Sequence, residues 1–327
     1  MRMHRRAALA LMASTLPALK AAQAQPAAPW PNRPIRMVIP WPPGQATDLA
    51  GRVIAQRLSE RLGQPVVAEN RAGAGGAIGT DAVAKSAPDG YTLLAGSSGP
   101  FTIAPLLQRL PYDTTRDFAP IAMWGISPYV LVVRPDFPAN TVQEFIALLK
   151  ARPGHYTFGS SGRAATAHLI IEYFNARAGV EALHVPFSGS APSMTALIGG
   201  QINYSIETLA ATFPLVRQGA LKALGISLKD GSTLAPDVQP FARVPGLEGF
   251  DAGAWVGLVA RAGTPAPIAE RLGQEIDLAM ADPTVRGRFE SIFVEPVPRG
   301  PAAFATYLAE QRDLFQGIIT RQNIRLD

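Results

Sequence analysis

Five consecutive residues, Gly159-Ser160-Ser161-Gly162-Arg163, set two hydroxyls, two glycines and a guanidinium just ahead of a helical pattern that carries Thr166 and His168. Three other loops share the small-residue character: Trp41-Pro42-Pro43-Gly44-Gln45-Ala46-Thr47-Asp48, Gly73–Gly79 and Gly96-Ser97-Ser98-Gly99. Small residues let backbone N–H groups approach a ligand closely, and helix N-termini offer unpaired donors with a partial positive charge. Serine hydroxyls add donors without adding charge. Several such loops on one cleft would bind an anion such as a carboxylate without many lysines.

Each loop also has a plainer reading. Thr47 or Asp48 would cap one helix, and Ser160 or Ser161 the other. Arg163 opposes the dipole of the helix it precedes, so pairing with an anion, which a guanidinium can grip bidentately, competes with a solvated side chain. His168 reads first as a packed or hydrogen-bonded histidine and second as a ligand contact. Trp41 and Phe101 would pack on a ligand's ring or chain, or simply close the surface.

Catalytic motifs fail on spacing. A nucleophile elbow requires Gly-x-Ser-x-Gly, and Arg163 and Pro100 stand where the last glycine belongs. Gly73-Ala74-Gly75-Gly76-Ala77-Ile78 ends in isoleucine rather than the third glycine of a dinucleotide fingerprint. No phosphate loop is present, and no catalytic residue is assigned. A hydrolase using Ser160 or Ser161 with His168 or His184 is the alternative.

The elements that must position these loops alternate. Short apolar runs at Ile35–Pro40, Pro65–Glu69, Tyr91–Ala95, Ile121–Trp124, Tyr129–Val133, Tyr156–Gly159, Ala182–Pro186, Ile202–Ile206 and Lys222–Ser227 read as strands, interleaved with helical patterns that include Asp48–Leu62 and Thr166–Ala178. After an irregular stretch come a strand at Ala254–Ala260 and three helices near 267–281, 284–291 and 301–321. This alternation predicts an α/β fold with parallel sheets, and 327 residues favour two lobes over one core.

Composition narrows the function classes. Arg2, Arg5 and Arg6, the apolar run Ala7–Leu19 and Ala22-Gln23-Ala24 read as a secretory signal over residues 1–24. That segment holds four of the formal +5 charges, so the remainder is nearly neutral and shows no basic, aromatic-laced patch for nucleic acid. Cysteine is absent, which excludes lipobox anchors, disulfides and thiol chemistry. Of His4, His155, His168 and His184, no two fall in a His-x-x-x-His pair, so neither metal nor cofactor is expected. An exported chain with no anchor and no apolar span is expected free in the periplasm.

Spread along the chain, several blocks together resemble the Bug-type, TctC-like periplasmic receptors of tripartite tricarboxylate transporters. They are Pro40-Trp41-Pro42-Pro43-Gly44-Gln45-Ala46-Thr47-Asp48, Asn70–Gly79, Pro88–Leu94, Tyr156–Gly162 with His168-Leu169, His184–Pro192 and Ala196–Ile202. The resemblance implies two Rossmann-like lobes of periplasmic binding protein type II architecture, joined by crossing hinge strands. Residues 25–127 with 253–327 would form one lobe and residues 128–252 the other. It implies a non-enzymatic, monomeric receptor that closes on a di- or tricarboxylate, amino acid or aromatic acid and passes it to membrane transporter subunits. A sensor feeding a signalling partner is an alternative role. The loops Trp41–Asp48 and Ser160–Arg163 would grip a carboxylate from opposite lobes, with Ser97, Ser98, Phe187, Glu207 and Thr208 lining the cleft. Gln45, Phe101 and Arg163 depart from or add to the family pattern and would retune it, as would Ser188 and Asn203, which replace a lysine and an aspartate usual in the family.

Overall fold

The computed structural model describes residues 29–325, so the expected signal segment lies outside the described residues. From the N-terminus the chain runs β1 (Ile35–Ile39), α1 (Ala46–Leu62), β2 (Val66–Asn70), α2 (Ala77–Ala84) and β3 (Thr92–Ser97). A wide helical turn, Gly99–Ile103, leads into α3 (Ala104–Leu107), followed by β4 (Phe118–Ser127), β5 (Tyr129–Val133) and α4 (Val142–Ala151). Then come β6 (Thr157–Ser160), α5 (Thr166–Ala178), β7 (Leu183–Pro186), α6 (Ser190–Ile198), β8 (Tyr204–Thr208), α7 (Leu209–Arg217) and β9 (Lys222–Ile226). The last elements are β10 (Ala254–Arg261), α8 (Ala266–Ala281), α9 (Pro283–Ser291), β11 (Glu295–Arg299) and α10 (Pro301–Arg321).

Local sequence explains much of this. In α1, Ala50, Ile54, Ala55 and Leu58 recur on one face and are buried, and Gly63 ends the helix at φ 68°. In α4 the Thr141 hydroxyl accepts from Glu144 N at 3.1 Å while Glu144 Oε2 accepts from Asn140 N at 2.6 Å, a reciprocal cap.

Two sheets result, ordered β11-β4-β10-β3-β1-β2 and β7-β6-β8-β5-β9. Both are mixed, which corrects the expectation of parallel sheets. β1, β2 and β3 run parallel, as do β6, β7 and β8, but β10 is antiparallel to β3 and β4, and β5 to β8 and β9. The strands that run against the rest are β5 and β10, where the chain changes sheet, and the edge strand β11, and an antiparallel strand need not obey the helix-linked crossover rule. The chain leaves the first sheet at Ser127 and enters the second at Tyr129, then returns between Ile226 and Ala254. The two passages lie side by side: Tyr129 N donates to Ser227 Oγ at 3.0 Å, Ser227 N to Tyr129 O at 2.9 Å, and Ala252 N to Ser227 O at 3.2 Å.

Each sheet is buried on both faces. The first carries Met37, Ile39, Ile54 and Trp124 on one side and Val38, Leu94, Trp255 and Phe304 on the other. The second carries Leu131, Phe145, Phe158 and Phe174 on one side and Val130, Val132, Leu197 and Leu209 on the other. Helix α10 belongs to both cores: Phe304 and Tyr307 pack with Trp255, while Phe315, Ile318 and Ile319 pack in the cluster of Phe145 and Phe174. No helix among the described residues is long and apolar enough to cross a membrane.

Candidate functional site

The loop before α1 is built around one carboxylate. Asp48 is 2% exposed; its Oδ2 accepts from Gly44 N at 2.9 Å, and its Oδ1 from Arg52 Nε at 2.9 Å and Asn70 Nδ2 at 2.8 Å. The same Asn70 amide donates to Trp41 O at 2.9 Å, so both ends of the loop hang on one network. Burial alone would raise the Asp48 pKa, but bonds from Gly44 and Asn70 and the charge of Arg52 outweigh it, and the group lies below its usual range. Asp48 therefore shapes the loop from beneath.

The helix caps differ from the sequence expectation, and α1 starts two residues earlier than Asp48, whereas α5 starts at Thr166 as expected. The cap position of α1 is Gln45, whose side chain caps nothing, while Ala46, Thr47 and Asp48 lie inside the helix. Likewise α5 begins after Ala165, again with no side-chain cap, leaving Ser160 and Ser161 outside the capping position. Chain bends set these starts: Gly44 has φ +89°, and Gly162 and Ala164 have φ +141° and +58°. The N-terminal N–H groups of both helices thus lack a side-chain cap.

On the first sheet, Trp41 Nε1 donates to Ser97 Oγ at 2.7 Å, and its ring lies so near Gly99 that a Cβ there would sit 3.2 Å from it. Ser98 Oγ accepts from Trp255 N at 2.9 Å. Phe101 is 5% exposed and packs edge-on against Trp255 and Phe118, which places it in the core beneath the loop.

On the second sheet, Glu207 organises the other loop. Its Oε1 accepts from Ser161 N at 3.0 Å, and its Oε2 from Ser190 Oγ at 2.9 Å and Thr208 N at 3.2 Å. Burial pushes its pKa up, against these bonds. Thr208 caps α7 through Ala211 N, Thr166 is the first residue of α5, and Phe187 N donates to Ser160 O at 3.1 Å. Arg163 is exposed, and its charge reaches His184.

His168 is 5% exposed, and its Nδ1 accepts from Ala164 N at 3.0 Å, which fixes the left-handed Ala164 turn and agrees with the packed reading. His184, which sequence reasoning did not assign to the ligand, lies 2.7 Å from Ser160 Oγ through Nε2. Ser160 Oγ also donates to Gly162 O at 3.0 Å and is fully buried.

The expected residues thus fall into two groups. Trp41, Gly44–Asp48, Ser97 and Ser98 sit at the ends of β1 and β3; Ser160–Arg163, Thr166, His168, Phe187, Glu207 and Thr208 sit at the ends of β6, β7 and β8. The supporting partners Arg52, Asn70 and Ser190 were not singled out by sequence, although Asn70 and Ser190 lie inside the quoted blocks. Among the described residues no group of His, Asp and Glu could hold a metal.

Comparison with known proteins identifies the family. Residues 50–324 match the family described as "Tripartite tricarboxylate transporter family receptor". Protein BugT of Bordetella pertussis is 38% identical over 299 residues, 91% of each chain. A Rhodopseudomonas palustris protein solved with malate, MatC, superposes with a TM-score of 0.72 at 32% identity, covering 89% of this chain and 100% of that one. An R. palustris protein solved with adipate gives 0.76 at 29% identity, covering 90% and 99%. With two mixed α/β sheets joined by paired crossings, and with relatives matched over nearly their whole length, the chain belongs to the tripartite tricarboxylate transporter family of receptors.

Proposed function

We propose that this protein captures a small carboxylate between two lobes, residues 25–127 with 253–327 and residues 128–252, and delivers it to the membrane subunits of a tripartite tricarboxylate-type transporter. Export with loss of residues 1–24, a periplasmic location and a monomeric, non-enzymatic mode of action belong to the same reading. The observation that carries it is the pair of helix starts: α1 and α5, one from each sheet, both open without a side-chain cap on loops bent at positive φ. Such termini favour a carboxylate through their N–H groups and partial charge. The malate and adipate bound by two relatives are carboxylates of this size.

Gln45, Thr47, Ser97, Ser161 and Arg163 are the groups assigned to the ligand, with Trp41 and Phe187 as apolar walls. Asp48, Glu207 and His168 act by holding the two loops. A thermal-shift screen of refolded protein against mono-, di- and tricarboxylates tests the reading. A true ligand at a hundredfold excess over Kd stabilises by about 2.7 kcal/mol; a panel without any saturable shift would refute it.

The 2.7 Å contact of Ser160 with His184 is the single observation favouring the hydrolase alternative. Against it, Ser160 is 0% exposed, so no substrate carbonyl reaches its oxygen in this conformation. Ester turnover abolished by Ser160→Ala would establish the hydrolase.

A further inference from the structure

The first sheet extends to both sides of the strands that carry the chain across. In the order β11-β4-β10-β3-β1-β2, the residues Trp41–Asp48 and Ser97-Ser98 stand at the ends of β1 and β3, on one side of the β4–β10 pair. β11 is the outer strand on the other side. The second sheet repeats the division. Its strands β6, β7 and β8 end in the other group of expected ligand residues, while β9 is the opposite edge, prolonged by the bridge of Ile226 to Pro240 in the return segment. Both groups thus lie on one side of the crossing, its front, and β11 and the return segment lie behind it.

Residues 293–295 join the two halves at the rear. Glu295 Oε2 accepts from Ser232 Oγ, and its Oε1 from Thr233 Oγ1 at 2.7 Å, so the return segment holds both carboxylate oxygens of a first-sheet strand. Phe293 meets Phe213 of α7 edge-on with ring centroids 6.3 Å apart, and the Arg217 guanidinium lies 4.8 Å from the Phe213 ring and 5.9 Å from that of Phe293. Phe293 has φ +56°, a left-handed conformation that a bulky residue keeps only where its surroundings enforce it. Beside the Glu295 bonds, a cavity of about 500 Å³ separates residues 228–243 from β4, β11 and α10, so this part of the junction is spanned by hydrogen bonds and not filled by core.

Rotation about the crossing acts as a see-saw. Bringing the ends of β1 and β3 toward those of β6 and β8 swings β11 away from the return segment, because β4 and β10 stand between β11 and β3. Rear contacts and a ligand gripped in front therefore compete for one rotation. In front, the bonds from Trp41 to Ser97 and from Ser161 to Glu207 each stay on one sheet, whereas the bonds to Glu295 cross between the halves.

We propose that Phe293 and Glu295 form a rear clasp that holds the lobes apart in front and so sets the affinity of the cleft. The inference rests on the two-lobed capture proposed above and adds to it the residues that oppose closure. Apparent affinity scales with the fraction of molecules in the closed, binding-competent state, so losing a contact made only in the open state tightens binding. A residue with a structural role alone would leave affinity unchanged or weaken it.

The chain has no cysteine, so spin labels attach only where cysteines are introduced. Ala72, just after β2, and Ala191, in the first turn of α6, are exposed at the front of the two halves. Ala72→Cys with Ala191→Cys, labelled after refolding to strip bound ligand and measured by pulsed electron spin resonance, reports the front opening. Adding Glu295→Ala and Arg217→Ala together should shift the distance distribution toward shorter values. Arg217→Ala alone, a change at an exposed position, should move it part of the way. An unchanged or lengthened distribution in the double variant overturns the proposal. Titration with malate and with adipate reads the same clasp through affinity. Either acid that binds the parent should bind the double variant about threefold to tenfold tighter, and equal or weaker binding overturns the proposal. The distances are read without ligand, so a flat carboxylate screen refutes the capture reading, whereas an unmoved front refutes the clasp.

Discussion

The imidazole of His168 lies flat on that of His184, with ring centroids 3.8 Å apart and planes 11° from parallel. Phe158 stacks on His184 at 4.9 Å and 18°. Two rings this close cannot both carry charge cheaply. Burial first, then His168, then Arg163 lower the His184 pKa from 6.5 to about 4.

Stability should therefore depend on pH through His184. The folded pKa is depressed, so the unfolded chain takes up the proton first as pH falls. The contribution is fully present above about pH 6.5 and is lost progressively toward pH 4. Urea midpoints measured across this range should fall with pH, and His184→Asn should flatten the slope over the same window.

Arg163→Ala should act twice. Removing a guanidinium that bears on His184 raises the His184 pKa above about 4, read by NMR titration of the ring. Carboxylate binding should weaken by about 1.5–3 kcal/mol, the usual worth of a hydrogen bond to a charged group. Unchanged affinity with a shifted histidine would take Arg163 out of the ligand site while leaving its place beside His184 intact.

Glu207→Ala should loosen the second loop. Three donors, Ser161 N, Ser190 Oγ and Thr208 N, lose their acceptor. A loss of about 1–3 kcal/mol is expected, with faster amide exchange at Ser161 as the local readout. Glu207→Gln, which keeps an acceptor oxygen, should lie between the two. A raised folded pKa means any stability from the protonated form is present at low pH and lost as pH rises through it.

Gly79→Ala should disturb the first loop from behind. A Cβ at Gly79 would come within 2.7 Å of Arg71 O and 2.9 Å of Pro40 Cα, both backbone atoms that cannot swing away. Pro40 immediately precedes Trp41, so the strain enters the Trp41–Asp48 loop. Destabilisation of about 1–3 kcal/mol is expected in thermal unfolding. Gly44→Ala, at φ +89° with open space around it, tests backbone strain alone.

Strands flanked by apolar runs and small-residue loops were legible in the sequence, because periodicity and turn residues are local signals. β11 was not: Pro296 and Pro298 mask a strand that is tolerated at the edge of its sheet. β4 extends past the expected Ile121–Trp124 to Ser127, since its length is set by carrying the chain toward the second sheet. The cap positions at Gln45 and Ala165 were missed for a related reason, although the span of α5 itself was read correctly. Capping residues adjoin both, but the bends at Gly44, Gly162 and Ala164 decide where each helix begins, and those bends depend on partners such as Asn70 and His168 far along the chain or one turn ahead. The split of Phe101 into the core and Trp41 onto Ser97 likewise required the third dimension.

Helix α10, last in the chain, packs Phe304 and Tyr307 into one core and Phe315, Ile318 and Ile319 into the other, while β10 is wedged between β3 and β4. A ribosome delivers these pieces last. The first sheet has a gap at its centre until β10 emerges, and the second core stays open on one side until α10 follows, so neither half can be finished ahead of the other during synthesis. Until its final helix is made, both cores lack part of their packing.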